Sequence, residues 1–528
     1  GAGVDQLWAE ARWLQPDSVA GVWGERLIAA DPGVLLVAAI GSLTWWNPSL
    51  ALVWLWIAAP LISGLVAWWA GSQLLRRALP TTLFAVLWVL QPSFLAALNE
   101  GRVYSVIVHI ALPWLVATAM TAHTSWQRAA QAGFATAVVT AAAPSLWPAV
   151  LIGWVVVLLA LGWREPVRAF AGTLPLALIP SLVLFAPRLL APTEIALVPG
   201  FGRYLADPGP ELANVPVAWW QVLFGWSTNP TAPGLIPEGV DWTLITLAAG
   251  VPLLTAALLA VITSRGDIIL TAGLLLSSGV LLAAIAPHIP QGFVGIEPVS
   301  LWQGSGAMLS GLGIALAVAA FVDHVVPERW EFGRKASVAR AVGAVVSVLV
   351  AGGSILAVSG EVTRSWSDDA VVTSSEQRTL PALVAAEALS TPDQFTLVID
   401  EVDGGYAIST KQGAGLYLET QSSLYRMRPV ELSQSSYDLA TVASAIVQPS
   451  AANPLPILRQ QGIRFILFRG DPERDAALAM GQRAEFIPSG QSQAGVLFKV
   501  DGVAEKSTLA LPRSASQALW DSLLWITW

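Results

Sequence analysis

Residues 57–102 read IAAPLISGLVAWWAGSQLLRRALPTTLFAVLWVLQPSFLAALNEGR. Two apolar runs, 49–73 and 80–98, flank the pair Arg76-Arg77, and the second run stops at Asn99-Glu100-Gly101-Arg102. A helix of ~20 apolar residues crosses a hydrocarbon layer of ~30 Å. This stretch therefore predicts a helical hairpin across a membrane, with a basic loop at one end and a polar turn at the other. Further apolar segments lie at 33–46, 103–121, 128–144, 147–163, 169–190, 242–263, 268–287, 302–325 and 338–358, and a last one starts near 514. Segments in such a series cannot all be the core of a soluble domain, because their outer faces would have no partner. The expectation is an all-α polytopic membrane bundle of about 11–12 spans carrying a small extracytoplasmic α/β domain.

Composition agrees. Hydrophobic residues make up 55% of the chain and charged residues 12%, about half the charged share of a soluble domain. The 25 Trp suit interfacial belts, and Trp45, Trp46, Trp126, Trp147, Trp163, Trp242 and Trp330 stand at segment ends. Cysteine is absent, which excludes disulfides, thiolate nucleophiles and Cys-ligated metal centres. The four His are scattered at 109, 123, 288 and 324, and no basic stripe points to nucleic acid. No cofactor motif is evident, and the question of a divalent metal stays open. The chain begins Gly1-Ala2-Gly3 and ends within the apolar run 523–528, so a fragment of a longer protein is expected.

Basic residues set the orientation. Taken alternately, one set of loops carries Arg76 and Arg77, then Arg128, then Arg164 and Arg168, then Arg265, then Arg329, Arg334, Lys335 and Arg340; the other set of short loops carries only Arg102. The positive-inside rule puts the first set in the cytoplasm. The 99–102 turn, the 191–241 loop, the 288–301 loop and the block from about 359 to 513 then face outward. Residues 1–32 suit an interfacial amphipathic segment, 33–358 the multispanning region, 359–513 the outer domain, and 514–528 the start of a final span. Whether 33–46 crosses is left open by its shortness. In the outer block, Phe395–Ile399, Gly415–Leu418, Ile463–Phe468 and Gly495–Val500 read as strands. Tyr437–Val447, Leu455–Gln461 and Pro472–Gly481 read as helices. The block has no phosphate loop or nucleophile elbow, so binding or scaffolding is expected of it.

The chemistry-bearing residues gather in the outward loops. Glu100 and Arg102 flank Gly101 at a membrane boundary: the guanidinium fork suits phosphate oxygens, and Glu100 is a candidate base for a hydroxyl proton. A solvated polar turn has the same composition. Tyr104 follows at once, and His109 lies two turns deeper on nearly the same helical face as Arg102. An ionisable group at that depth lines a cavity or finds a partner on a neighbouring helix. The 191–241 loop offers Arg203, Asp207, Trp219, Trp220 and Trp226, aromatic faces and charges suited to sugar rings, although a plain aromatic belt would look alike. His288 and Glu297 mark another outward turn, whereas Asp323-His324 reads as a solvated helix end. Asp5 and Glu10 are the early carboxylates and weaker candidates for the base.

Several of these stretches carry a resemblance. The "LW…ARW" entry at 7–13, the 57–102 stretch, "VIVHIALPWL" at 106–115 and the pair "GIRFILF…GVLFKV" at 462–468 and 495–500 resemble the membrane portion of the large actinobacterial family 2 glycosyltransferases. That portion is similar in plan to the GT-C class of multispanning transferases. The resemblance implies a polyprenyl-phosphate sugar or glycan as substrate, action at the outer face of the cell membrane, a carboxylate base in the first outer loop, and a cytoplasmic transferase domain as companion. This chain departs from the pattern in lacking that domain, a DxD motif and a paired carboxylate in an early outer loop. The favoured expectation is the membrane module of a cell-envelope glycosyltransferase; the alternative is a non-catalytic glycan or lipid conduit.

Overall fold

The computed structural model describes residues 14–16, 27–29, 31–162, 172–190, 204–210, 217–223, 225–226, 242–294, 297–325, 345–355, 380–388, 394–402, 405–413, 421–423, 434–447, 453–470, 475–492 and 495–503, with single positions at 341, 358, 362, 390 and 391. The chain enters through two short strands, β1 (Leu14–Pro16) and β2 (Leu27–Ala29), paired antiparallel. The other residues of the 1–30 stretch, and with them most of the expected interfacial segment, lie outside the described ones.

The first helix, α1 (Val34–Ser42), has nine residues and rises only about 13 Å, too short to cross. Segment 33–46 is therefore not a span. The long helices follow: α2 (Pro48–Leu74), α3 (Ala78–Val89) with α4 (Pro92–Asn99), α5 (Val103–Thr121), α6 (Trp126–Ala142), α7 (Trp147–Gly162), α8 (Leu174–Leu190), the short α9 (Trp219–Val222), α10 (Trp242–Thr263) and α11 (Gly266–Ile285). A hairpin of β3 (Pro290–Val294) and β4 (Glu297–Ser300) leads into α12 (Gly304–Val325), and a shorter apolar helix, α13, spans Val345–Ile355. Among the described residues, five helices are long and apolar enough to cross a membrane: Pro48–Leu74, Ala78–Asn99, Val103–Thr121, Gly266–His288 and Gly304–Val325. Large apolar side chains point outward on these helices, with Ile57 75% and Leu270 74% exposed. Such a surface, on helices of membrane-crossing length, suits contact with lipid. The protein is a multi-pass membrane protein.

α12 is the hub, buried along almost its whole length and packed against α3, α10 and α11. Small residues make the α11–α12 contact possible. A methyl added at Gly306 would lie 2.6 Å from the Gly279 carbonyl oxygen and 2.7 Å from the Ala283 nitrogen; one at Gly313 would lie 2.6 Å from the Ala272 carbonyl oxygen. Lipid tails are as apolar as Leu, so close backbone approach, rather than hydrophobic driving force, holds such helices together.

The two ends of the bundle differ. At one end the Arg76–Arg77 loop meets α12: Arg76 N–H donates to Asp323 Oδ2 at 3.3 Å and Arg77 Nη1 to the Asp323 carbonyl at 2.5 Å. Arg128 donates to Gln73 at 3.0 Å nearby. Asp323 thus ties a loop to a helix end instead of standing solvated. At the other end the 99–102 turn, residues 204–210, the β3–β4 hairpin and residues 421–423 converge.

The α/β part contains α14 (Ala382–Glu387), β5 (Phe395–Val402), β6 (Gly405–Gln412), α15 (Gln434–Val447), α16 (Leu455–Gln460), β7 (Ile463–Arg469), α17 (Asp475–Gly481), β8 (Phe486–Ser492) and β9 (Gly495–Val500). Its sheet runs β6-β5-β7-β9-β8, with β5 and β7 parallel and the other neighbours antiparallel. The three central strands match the expected ones. β6 and β8, absent from the sequence reading, are the two edges, and Gly415–Leu418 lies outside the described residues.

The α11–α12 contact yields a prediction. Gly306→Leu should lower the thermal unfolding midpoint in detergent, with a cost of about 1–3 kcal/mol from overpacking. Gly273→Ala on the open side of α11, where an added methyl meets nothing within 4 Å, should leave it unchanged.

Candidate functional site

The helix stop at Asn99–Arg102 is built by its own backbone. Arg102 N–H donates to the Ala97 carbonyl at 2.9 Å and Gly101 N–H to the Leu98 carbonyl at 3.2 Å, with Gly101 at φ +72°. This is a Schellman cap, and its left-handed position requires a residue without a Cβ. The cap folds the chain back into α5 and sets Glu100 and Arg102 on either side of the turn. Both side chains are buried, at 6% and 4% exposure, and Arg102 Nε donates to Glu100 Oε2 at 2.5 Å. The guanidinium also lies over the Trp302 ring, 4.5 Å from its centroid. The Trp302 indole N–H is buried with no partner among the described residues.

Three other segments close around the pair. A methyl added to Gly209 would sit 3.1 Å from Arg102 Nη1, so the 204–210 segment passes directly against the guanidinium. Asp207 is buried and anchors that segment, accepting from Ser145 N (2.8 Å), Ser145 Oγ (2.6 Å) and Ser305 Oγ (2.7 Å). Gln303 adds a tie, its Oε1 accepting from Val217 N at 2.8 Å. From the α/β part, Gln421 Nε2 donates to the Gly101 carbonyl at 3.2 Å and the Gln421 carbonyl accepts from Gly209 N at 2.7 Å. Asp31, just before α1, accepts from Ser422 Oγ and Ser423 N, each at 2.8 Å, and from Ser423 Oγ at 2.5 Å.

The expected site residues divide accordingly. Glu100 and Arg102 form the centre. Tyr104 is buried two residues on, its ring against Gly33, where a methyl would meet it at 2.7 Å. His109 is fully buried in an aromatic slot, stacked on Trp88 at 3.8 Å and Phe94 at 4.0 Å. Its Nε2 lies 3.1 Å from the Trp88 carbonyl, while Trp88 Nε1 donates to the His109 carbonyl at 3.1 Å. A carbonyl only accepts, so Nε2 carries a proton toward it, and Nδ1 has no partner among the described residues. Trp219 and His288 are exposed and Trp220 half-buried at the same end of the bundle. Glu297 pairs with Val294 in the hairpin. Asp5, Glu10 and Arg203 lie outside the described residues. Asp31, Trp302, Gln303 and the Gln421–Ser423 segment entered no sequence expectation, because only long-range contacts single them out.

An apolar cavity of about 810 Å³ opens between α1, α2, α5 and α6, with Ile40, Leu55, Ile62, Ile107, Ile110 and Trp114 among its lining. Ile107 stands five residues along α5 from Arg102, about 7 Å further into the bundle. Trp56 Nε1 donates to the Leu98 carbonyl at 3.2 Å and so fastens the cavity's wall to the same turn.

No family model matches the chain, and no curated protein matches it. Among solved structures it is similar to the arabinofuranosyltransferase AftD from mycobacteria, with 14% identity and a TM-score of 0.52 over 94% of this chain and 37% of that one. The chain thus spans well under half the length of AftD. Weaker likenesses run to the archaeal oligosaccharyltransferase AglB from Archaeoglobus fulgidus (11% identity, TM-score 0.42, 98% and 74% of the two chains) and to ArnT from Cupriavidus metallidurans bound to undecaprenyl phosphate (13%, 0.41, 96% and 98%). At these identities the likeness to AftD is one of fold.

Breaking a buried ion pair from one side leaves an uncompensated charge, at a cost of about 3–5 kcal/mol, whereas apolar replacement of both partners is often neutral. Arg102→Ala should therefore depress the unfolding midpoint, and Arg102→Met with Glu100→Leu should recover most of the loss in the same thermal scan.

Proposed function

We propose that this chain is the membrane module of a cell-envelope glycosyltransferase that handles a polyprenyl-phosphate-linked sugar or glycan at the outer face. The carrying observation is the buried Glu100–Arg102 pair at the end of the bundle where the 99–102, 204–210 and 421–423 segments meet. An ion pair taken out of water contributes little to stability by itself, and ionisable groups within membrane proteins are retained for what they do. The fold shared with AftD supports the same reading, and the basic character of the loops at the opposite end supports an outward Glu100–Arg102 end.

In this reading Arg102, steadied on Trp302, holds the phosphate of the carrier lipid, and the isoprenoid tail lies in the apolar cavity beside α5. An acceptor hydroxyl attacks the anomeric carbon as the bond from that carbon to the phosphate oxygen breaks. The hydroxyl proton passes to Glu100, and the phosphate monoester leaves on Arg102. Direct displacement inverts the anomeric centre and needs little beyond a base and a stabiliser of the leaving charge. Asp5 and Glu10 stand as alternative bases. Tyr104 and His109 shape the inner side of the site; Trp219, Trp220, Arg203, His288 and Glu297 offer stacking faces and polar contacts to the acceptor. Residues 1–32 form the entry, 33–358 the spanning region, 359–513 an extracytoplasmic domain that docks the glycan, and 514–528 the start of a further span. A cytoplasmic transferase domain of the family 2 type is the expected companion.

The test is sugar transfer in proteoliposomes supplied with radiolabelled polyprenyl-phosphate sugars and an envelope glycan acceptor. Glu100→Gln and Arg102→Ala proteins that elute as folded species should each lose at least about 100-fold in rate, the usual share of a positioned base. Unchanged transfer in both would move the site elsewhere. Movement of labelled lipid or glycan across the bilayer without transfer would favour the conduit.

A further inference from the structure

The contacts of residues 421–423 do more than cover the ion pair. This short segment touches three places that are far apart in sequence. Gln421 bonds the Gly101 carbonyl between the two charged residues, and its own carbonyl holds the Gly209 amide, which adjoins Arg102. The Ser422 hydroxyl and the Ser423 hydroxyl and amide all donate to the Asp31 carboxylate, which is 2% exposed. Asp31 in turn precedes Gly33, which abuts the Tyr104 ring on the first turn of α5. The charged turn is thus gripped from above by Gln421 and from the side through Gly33 and Tyr104, and both grips share one anchor. Hydrogen bonds to a buried charged acceptor are the strong kind, and a single carboxylate that receives several of them fixes its donors' positions closely.

We propose that Asp31 is a positioning residue: with Ser422 and Ser423 it anchors a strap that holds the Glu100–Gly101–Arg102 turn in its working geometry. The consequence for catalysis rests on the function proposed above; the consequence for the turn does not. Asp31 acts through the strap and needs no contact with substrate. A covalent link of different chemistry in its place should then serve as well as the carboxylate.

The absence of cysteine from the chain makes that substitution clean. Asp31→Cys with Ser423→Cys, made in the full chain, is compared reduced and bridged by oxidation or a short thiol-to-thiol cross-linker. Asp31→Asn and the Ser422→Ala, Ser423→Ala double variant guard against loss of folding. Amide hydrogen exchange of Gly101, Arg102 and Val103, read by mass spectrometry, reports the turn without any sugar substrate. Exchange there should rise about tenfold or more in Asp31→Asn, the serine double variant and the reduced cysteine pair, as expected for loss of one or more bonds to a charged group. It should return to the wild-type rate when the cysteines are bridged, and transfer should return with it. Unchanged exchange in the unbridged variants would overturn the strap. Restored exchange without restored transfer would make Asp31 a group that touches the reacting atoms, and would overturn the positioning role. A wild-type protein inactive with every donor would contradict the proposed activity, while the exchange result would still decide the strap.

Discussion

A carboxylate and a guanidinium held out of water at one end of an apolar bundle are the constraint around which the site is arranged. Each ion costs several kcal/mol to desolvate, and their mutual attraction offsets this only with good geometry and further hydrogen-bond partners. The protein meets those terms locally and at long range. A Schellman cap with Gly101 in the left-handed region aims the two side chains; Trp302 gives the guanidinium an aromatic face. Two anchored carboxylates, Asp207 and Asp31, hold the neighbouring segments still.

The bundle supports this by being rigid where it matters and replaceable elsewhere. Trp302 and Gln303 lead directly into α12 and Ser305 lies on its first turn, and the close α11–α12 packing through Gly279, Gly306 and Gly313 fixes where that start lies. α2, by contrast, turns Ile57, Leu61 and Trp68 outward, and Trp54, Leu55, Ile62 and Leu65 form one wall of the apolar cavity. Charge at the bundle's end and an apolar cavity that reaches Ile107 on the helix following Arg102 suit the amphiphile of the proposed function, with its anionic head and long hydrocarbon tail.

Much of the helical architecture was legible in the sequence, since hydropathy over about 20 residues is a strong signal. The 99–102 turn stood out because Glu and Arg beside a Gly are conspicuous between two spans. The short α1 was ambiguous until its nine residues showed that it cannot cross. Removing it from the count of spans places Asp31 at the same end as Arg102, as the Asp31–Ser423 bonds require. β6 and β8 escaped notice because edge strands face solvent on one side and carry polar residues and Pro, as in Pro488. Asp207 reads from the sequence as a loop carboxylate, but its partners Ser145 and Ser305 lie 62 and 98 residues away. Asp31 sat unremarked in a mixed polar stretch: nothing local distinguishes it, and its meaning comes from serines about 390 residues further on.

In the proposed function the phosphate of a polyprenyl carrier sits at Arg102. A cryo-EM structure of the protein in nanodiscs with polyprenyl phosphate tests this directly. Phosphate density is expected within hydrogen-bonding distance of the Arg102 guanidinium, with tail density running past Ile107 toward Trp114. Phosphate density at the Arg76–Arg77 end, with the Glu100–Arg102 pair undisturbed, would contradict it.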